Sequence, residues 1–327
     1  MKLIIDGRPI EPRPDESLLD LAKRLDLIKG KLSTDPIAAK IAGEVFTLNY
    51  IPVRKTDLQS DRPSVRRAMA ASGGEVRLLY YRDTAGKECY IRTAQFVIFL
   101  AMRQLWPAAR AKMNCTLGSS VYVQIQNCED FSVARLQTRM QEIIQQNIPL
   151  IRRRIPLAEA MEHYRKIGQP DKARLLSWRP WDFFDEYAYE DFSDYYYGEM
   201  APTTGYLTVW QLLPADGGFL FLYPDDDNPD TLAKRPSMPN FFTVFNEGER
   251  WCSLMECETI ADLNDLTTSG RIRELIRVNE ALHEKRYAQV ADMVCHQGAK
   301  AVMLAGPSSS GKTTSANRLA TQLRVHG

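Results

Sequence analysis

IRTAQFVIFLAMRQLWP, at residues 91–107, is a strongly apolar segment that ends in a tryptophan and a proline. Its part from Thr93 to Leu105 predicts a helix, and Pro107 ends that helix because proline has no backbone N–H to donate. Alternation of apolar and polar residues predicts a strand before it, at Val76–Tyr81, and another after it, at Val121–Ile125. Between the first strand and the helix, Asp83–Lys87 predicts a turn. This part of the chain therefore predicts an α+β fold.

The first sixty residues predict a small α+β unit of their own. Asp6-Gly7 is a tight hairpin signal between a strand at Lys2–Ile5 and a return strand that begins at Ile10. Ser17 has the side chain of a helix N-cap, and apolar residues recur at helical spacing after it. Two further strands are predicted at Ile37–Ile41 and Val45–Leu48.

The chain after residue 150 predicts more helices and strands. Pro156 stands at the start of a predicted helix that Gly168 closes. Strands are predicted at Gly205–Trp210 and Gly218–Leu222, strand and turn at Thr243–Thr268, and a long helix at Ile272–Val294.

Near the end of the chain, Gly306–Thr313 fits the phosphate-loop pattern G-x-x-x-x-G-K-[ST]. The apolar run Ala301–Leu304 predicts the buried parallel strand before it, and residues 314–323 predict the helix after it. Such a loop turns successive backbone N–H groups toward one phosphate, and the helix start adds its positive dipole end. The pattern predicts a nucleoside triphosphate as ligand, either ATP or GTP. The predicted binding residues are Gly306, Ser308, Ser309, Ser310, Gly311, Lys312, Thr313 and Thr314.

Two side chains of the loop have predicted chemical roles. Lys312 brings a compact positive charge to the outer phosphates, which makes it the candidate catalytic residue. The Thr313 hydroxyl is the candidate ligand of the Mg²⁺ that accompanies the nucleotide. Phosphoryl transfer also needs a second acidic metal ligand and an acceptor pocket, and only one helix is predicted after the loop.

Composition narrows the classes of protein to consider. The 327 residues carry a formal net charge of +1, which argues against a dominant nucleic-acid or membrane-binding surface. The six cysteines are scattered, which favours free thiols in a reducing compartment. No signal peptide or membrane-spanning run is predicted, so we expect a cytoplasmic protein without a membrane partner.

Two local clusters leave alternatives open. The run Arg152-Arg153-Arg154 fits a solvated face, or a contact with RNA phosphates. Aromatic residues crowd the segment from Trp178 to Tyr197, and they fit either core packing or the stacking of bases.

Two regions resemble parts of threonyl-tRNA synthetases. The order of hairpin, helix and strands in the first sixty residues resembles the TGS domain, a β-grasp module. Residues 91–96 with Gln104–Pro107, and Tyr196–Gly205 further on, resemble the second additional domain of these enzymes. In the family this domain carries H-x-x-x-H and C-x-x-x-H, which form a metal-binding, editing-type site.

The resemblance places those four ligands on residues that are poor metal ligands. The two histidines fall at Arg92 and Phe96, and the cysteine and histidine fall at Tyr196 and Met200. None of the four is a usual zinc ligand. We therefore expect the fold to be kept, zinc to be absent, and hydrolytic editing of mischarged tRNA to be disfavoured.

The phosphate loop, followed by Arg318-Leu319, resembles nucleoside kinases of the uridine kinase and phosphoribulokinase superfamily. This resemblance implies the N-terminal portion of an ATP-dependent nucleoside kinase, which transfers a γ-phosphoryl group to a nucleoside hydroxyl with Mg²⁺. For the 327 residues themselves we expect no turnover, because the acceptor site and the second metal acid are absent from them. The alternative is a non-catalytic or regulatory module that binds tRNA or a nucleotide.

The sequence thus predicts three regions. Residues 1–62 form the TGS-like β-grasp module, and residues 63–268 form the region like the second additional domain. Residues 269–327 form a linker helix and the first strand, loop and helix of an α/β P-loop kinase domain.

Overall fold

The computed structural model describes residues 2–52, 73–237 and 241–327. The chain forms two compact units. Unit one comprises Met1–Ala160 and Trp181–Phe242, and unit two comprises Met161–Pro180 and Thr243–Gly327. The predicted boundary near residue 62 lies outside the described residues, and the division into three regions stays a prediction.

A five-stranded mixed sheet begins unit one. Its strands are β1 (Leu3–Ile5), β2 (Arg8–Ile10), β3 (Ala38–Ile41), β4 (Glu44–Thr47) and β5 (Glu75–Leu79). They lie in the order β2-β1-β5-β3-β4, with β1 and β5 parallel and the other neighbours antiparallel. The hairpin prediction is confirmed, since Asp6 and Gly7 both have positive φ, at 47° and 80°.

Helix α1 (Leu18–Arg24) begins where the sequence predicts. The Ser17 hydroxyl accepts a hydrogen bond from the Asp20 backbone N–H at 3.0 Å, which is the geometry of an N-cap. Leu18, Leu21 and the strand residues Leu3 and Ile41 are buried together in one apolar cluster. Burial of each such side chain contributes about 1.5–3 kcal/mol.

Helix α2 (Thr84–Leu105) is the central element of unit one and is longer than predicted. The segment Asp83–Lys87, predicted as a turn, contains the N-cap Asp83 and the first turn of the helix. The reason is close packing: a Cβ on Gly86 would lie 2.0 Å from the Tyr80 carbonyl oxygen, so only glycine lets the helix start against this backbone.

A four-stranded antiparallel sheet packs with α2. Its strands are β6 (Arg110–Thr116), β7 (Ser120–Gln126), β11 (Gln211–Ala215) and β12 (Gly218–Leu222), in the order β11-β12-β7-β6. Phe96 of α2 shares its core with Val123, Phe219 and residues of helix α3 (Val133–Gln145). This core confirms the mixed α+β class.

A three-stranded antiparallel sheet completes unit one. It comprises β8 (Arg152–Pro156), β9 (Phe183–Tyr189) and β10 (Phe192–Asp194), in the order β10-β9-β8. The strand predicted at Gly205–Trp210 is wrong, because a short 3₁₀ turn at Thr204–Tyr206 takes its place. The Thr204 hydroxyl donates to the Ile143 carbonyl at 3.0 Å and accepts from the Ile148 N–H at 2.9 Å, and these bonds hold the turn.

The described part of unit two contains helices alone. They are the end of α4 (Leu157–Lys166), α5 (Pro170–Leu176), most of α6 (Phe241–Leu254), α7 (Ile260–Thr268), α8 (Ile272–His296) and α9 (Lys312–His326). The strand predicted within Thr243–Thr268 is therefore wrong, while a turn is present at Met255 and Glu256 between α6 and α7. A capping box starts α7: the Thr259 hydroxyl accepts from the Asp262 N–H, and the Asp262 carboxylate accepts from the Thr259 N–H. Among the described residues, no helix combines the length and apolarity that a membrane crossing requires.

The strand predicted before the phosphate loop is also wrong. Residues 301–307 have no regular secondary structure, and Met303 is 95% exposed. A parallel strand is stable only beside another strand, and the described part of unit two offers none. Of the strand, loop and helix predicted near the end of the chain, the structure shows the loop and the helix α9 but not the strand.

Candidate functional site

A cleft of about 340 Å³ lies in unit one beside α2. Strand β4, helix α2, strand β8 and the segment after β10 each supply part of its wall. The lining residues are Glu44, Val45, Ala85, Glu88, Arg92, Arg152, Gly198 and Glu199. Two of the segments in this wall carry the resemblance to the second additional domain.

Arg92 joins the two resembling segments across the cleft. Its Nη1 donates to the Glu199 carbonyl oxygen at 2.8 Å, and its Nη2 donates to Glu88 Oε2 at 2.6 Å. At the next residue of α2, the Thr93 hydroxyl accepts from the Ala201 N–H at 2.9 Å. The guanidinium thus fixes the segment after β10 against the helix.

Gly198 makes this contact possible. A Cβ at this position would lie 2.6 Å from Arg92 Cζ and 2.7 Å from Nη1. Its φ of +139° also lies in a region that side-chain-bearing residues rarely adopt. The backbone of residue 198 therefore packs directly on the plane of the guanidinium.

A second arginine organises the opposite wall. Arg152 donates to Glu199 Oε1 at 3.0 Å and to Asp185 Oδ2 at 2.8 Å, and Tyr187 donates to Glu199 Oε2 at 3.1 Å. Burial disfavours the charge of Arg152, but Glu199 and Asp185 outweigh it, so the pKa of Arg152 lies above its ordinary value. Burial, and then Glu199, raise the pKa of Tyr187. The Arg152 guanidinium therefore keeps its charge, and Tyr187 keeps its phenol proton.

The basic run at residues 152–154 is not a free cationic patch. Arg154 makes two hydrogen bonds to Asp185, at 2.8 and 3.0 Å, and Arg153 pairs with the buried Glu186 at 2.6 Å. The strand register explains the pairing, since Arg154 lies opposite Asp185 and Arg153 opposite Glu186 on β9. Cross-strand carboxylates therefore neutralise the run that suggested RNA phosphates.

Of the four positions at which the resemblance expects metal ligands, Phe96, Tyr196 and Met200 lie in or against the core of unit one, and Arg92 lines the cleft. Phe96 and Tyr196 have ring centroids 6.3 Å apart, while Met200 is fully buried beside Glu199, whose carbonyl binds Arg92. Arginine and phenylalanine offer no lone pair to zinc, and the guanidinium of Arg92 brings a positive charge to the place. Among the described residues, no group of three or more His, Cys, Asp or Glu side chains has the arrangement that a metal needs. The residues present do not fit a zinc ion.

The cleft carries more acid than base. Among the lining residues, Glu44, Glu88 and Glu199 face two arginines. Both arginines already donate to acceptors in the protein. The cleft thus suits a ligand that donates hydrogen bonds, such as a hydroxyl or ammonium group, and it repels phosphate.

Cys89 lies near the cleft but is no nucleophile at neutral pH. Its side chain is buried on α2, and the burial raises the pKa of its thiol to about 12. The reactive form of cysteine is the thiolate, which this environment suppresses.

The phosphate loop lies in unit two, and its residues are largely exposed. Ser309 and Gly311 have positive φ, at 60° and 77°, and Lys312 Nζ donates to the Pro307 carbonyl within the loop. Helix α9 begins at Lys312 and is held to α8, with the Tyr287 hydroxyl and Ser315 Oγ 3.0 Å apart. The loop backbone thus curls ahead of a helix start.

Sequence reasoning named Arg92 and Tyr196 but missed Arg152, Asp185 and Glu199 as parts of one site. Glu199 lies inside the segment that carries the resemblance, but the sequence does not indicate that its side chain binds Arg152 and Tyr187. The pairing of Arg152 with Asp185 depends on the register of β8 and β9, which no spacing in the sequence encodes.

Comparison with known proteins identifies a consistent set of relatives. A threonine–tRNA ligase of Clostridium kluyveri is 25% identical over 218 residues, which is 65% of this chain and 31% of the relative. The corresponding ligase of Desulforamulus reducens is 26% identical over the same lengths, and that of Methylobacillus flagellatus 23% identical over 188 residues, 54% of this chain and 29% of the relative. The chain thus spans less than a third of the length of the curated relatives it matches. No protein-family model matches the chain.

These relatives correct the predicted activity. The similarity supports the resemblance to threonyl-tRNA synthetases, because the relatives are named threonine–tRNA ligases. The prediction of an ATP-dependent nucleoside (uridine-type) kinase with a nucleoside acceptor is therefore wrong. The kinase prediction depended on one short Gly- and Ser-rich loop, whereas the resemblance to threonyl-tRNA synthetases covers a much longer part of the chain.

Gly198→Ala tests the contact between Arg92 and the segment after β10. The added Cβ meets the guanidinium, so we expect a loss of about 1–3 kcal/mol in the free energy of unfolding, measured by urea denaturation. Arg92→Ala in the same chain removes the clash, so the double variant should lose less than the sum of the two single variants. Additive losses would show that the two residues are not in contact.

Proposed function

We propose that this chain is a non-catalytic tRNA-binding module related to part of the threonine–tRNA ligases. The observation that carries the proposal lies at the four positions where the resemblance expects metal ligands, which hold Arg92, Phe96, Tyr196 and Met200. Arg92 lines a cleft that stays open, while Phe96 and Met200 are fully buried. Arg92, which donates to Glu88 and to the Glu199 carbonyl, joins the two segments. In this proposal the chain binds tRNA but does not hydrolyse mischarged tRNA.

The charge of the cleft favours the 3′ end of the RNA over its interior. Every internal nucleotide carries phosphate on both sides of its sugar, whereas the terminal one ends in two free hydroxyls. Those hydroxyls are hydrogen-bond donors, and the carboxylates of Glu44 and Glu88 are acceptors at the cleft wall. The cleft therefore fits a terminal ribose, with the phosphates outside.

The five-stranded sheet at the front supports a finer part of the proposal. Its order β2-β1-β5-β3-β4, with α1 across it, fits the TGS-like β-grasp module that the sequence predicts. Strand β5 contributes to this sheet, so the module extends past the predicted boundary near residue 62. We assign this module to the same RNA-binding function.

Binding to intact tRNA tests the proposal. We expect fluorescence anisotropy to show saturable binding of the intact tRNA. Removing the 3′-terminal nucleotides from the tRNA should weaken binding about tenfold, by loss of the hydrogen bonds in the cleft.

A matched pair of variants gives the control. Glu44→Gln removes a carboxylate from the cleft wall and should weaken binding of intact tRNA but not of the truncated form. Glu75→Gln removes an exposed carboxylate from the same sheet outside the cleft and should change neither. Equal binding of intact and truncated tRNA would overturn the assignment of the cleft, and lack of binding would overturn the function.

The loop in unit two supports a second candidate function, the binding of a nucleoside triphosphate without its turnover. Its curled backbone and the start of α9 at Lys312 favour a phosphate ligand. Gly306, Ser308, Ser309, Ser310, Gly311, Lys312, Thr313 and Thr314 would hold ATP or GTP. Lys312 would lie on the outer phosphates and Thr313 on the Mg²⁺ that the nucleotide carries.

Lys312→Ala should weaken the binding of Mg²⁺–ATP about tenfold or more, because the phosphates lose their nearest positive charge. Isothermal titration calorimetry measures the change, and Lys300→Ala, which alters an exposed lysine upstream of the loop, is the control. An affinity that Lys312→Ala leaves unchanged would contradict the assignment of the loop.

A further inference from the structure

Three aromatic rings form a ladder that leads from the core of unit one to its surface. Phe184 on β9 is 1% exposed, and its ring centroid lies 5.3 Å from that of Tyr195. Tyr195 in turn lies 5.6 Å from Tyr197, with the ring planes at 76°. Tyr197 is 77% exposed, so the ladder ends in a ring that is mostly open to solvent.

The outer ring occupies a fixed place beside the cleft. Tyr197 directly precedes Gly198 and Glu199, which line the cleft. The Gly198 N–H donates to the Tyr196 carbonyl at 3.1 Å, and the Glu199 carbonyl is bound by Arg92 at 2.8 Å. These bonds hold the backbone that follows Tyr197, and its ring packs edge-on against that of Tyr195. Such preorganisation lowers the entropy cost of binding.

The surroundings of Tyr197 favour a planar polar ligand over an apolar partner. The cleft next to it is lined by carboxylates and guanidinium groups, and these suit no apolar surface. A single exposed ring has the size and flatness of one nucleobase, and stacking between aromatic side chains and bases needs no particular base. The acidity of the cleft keeps phosphates out, so attraction to this edge has to come from the base.

We propose that Tyr197 is a stacking residue for an unpaired base of the RNA strand whose 3′ end enters the cleft. This inference rests on the proposed function and adds to it a position at which the single strand is recognised. It also resolves the two alternatives for the aromatic segment, since Phe184 packs in the core while Tyr197 is left for the ligand.

Replacement of the ring tests the inference. With tRNA that carries 2-aminopurine at its 3′-terminal position, we expect Tyr197→Ala to weaken binding about tenfold and to abolish the stacking-dependent quenching of the fluorophore. Tyr197→Trp should keep both, because it keeps an aromatic face, and Tyr197→Leu should behave like the alanine variant. Trp181→Ala, an exposed aromatic residue outside the cleft lining, should leave both unchanged.

The outcomes separate this inference from the function on which it rests. If the unaltered protein binds tRNA and Tyr197→Ala binds it equally well with full quenching, Tyr197 is no stacking residue and the tRNA-binding function stands. If the unaltered protein binds no tRNA, both fail. Circular dichroism of each variant checks the fold, and the leucine and tryptophan variants keep a large side chain against Tyr195.

Discussion

The packing of the Arg92 guanidinium on the backbone of Gly198 is the contact on which the cleft depends. It brings the segment after β10 against α2, and the φ of +139° at residue 198 favours glycine there. Once this contact is made, the Glu199 carboxylate faces Arg152 and Tyr187, and its carbonyl faces Arg92. The Arg92 guanidinium, which lies between α2 and the segment after β10, thus holds this wall of the cleft together.

A fixed cation does part of what a metal ion does, since it gathers oxygen atoms from different segments around one positive charge. It lacks the open coordination position with which a metal activates water. The nearby thiol of Cys89 does not replace that chemistry, because burial keeps it protonated. Arg92 and Cys89 therefore bring neither an activated water nor a thiolate to this cleft.

The sequence predicted most local features of the fold for sound physical reasons. The Asp6-Gly7 hairpin, the Ser17 cap and the end of α2 before Pro107 each depend on a few neighbouring residues. Features that depend on packing were missed: Gly86 packs on the Tyr80 backbone where α2 begins, and the apolar run at 301–304 has no neighbouring strand among the described residues. The pairing of Arg152 with Asp185 required the strand register, and its contact with Glu199 required the place of the segment after β10.

The central claim is our proposal that this cleft, where Arg92 joins the two segments, binds no zinc ion. The direct measurement is the number of zinc ions bound per chain after dialysis against a zinc buffer, determined by mass spectrometry of the metal. The account predicts far less than one zinc ion per chain, since Arg92, Phe96, Tyr196 and Met200 offer no set of ligands for zinc. One zinc ion per chain, lost when Tyr196 and Met200 are changed to alanine, would contradict it.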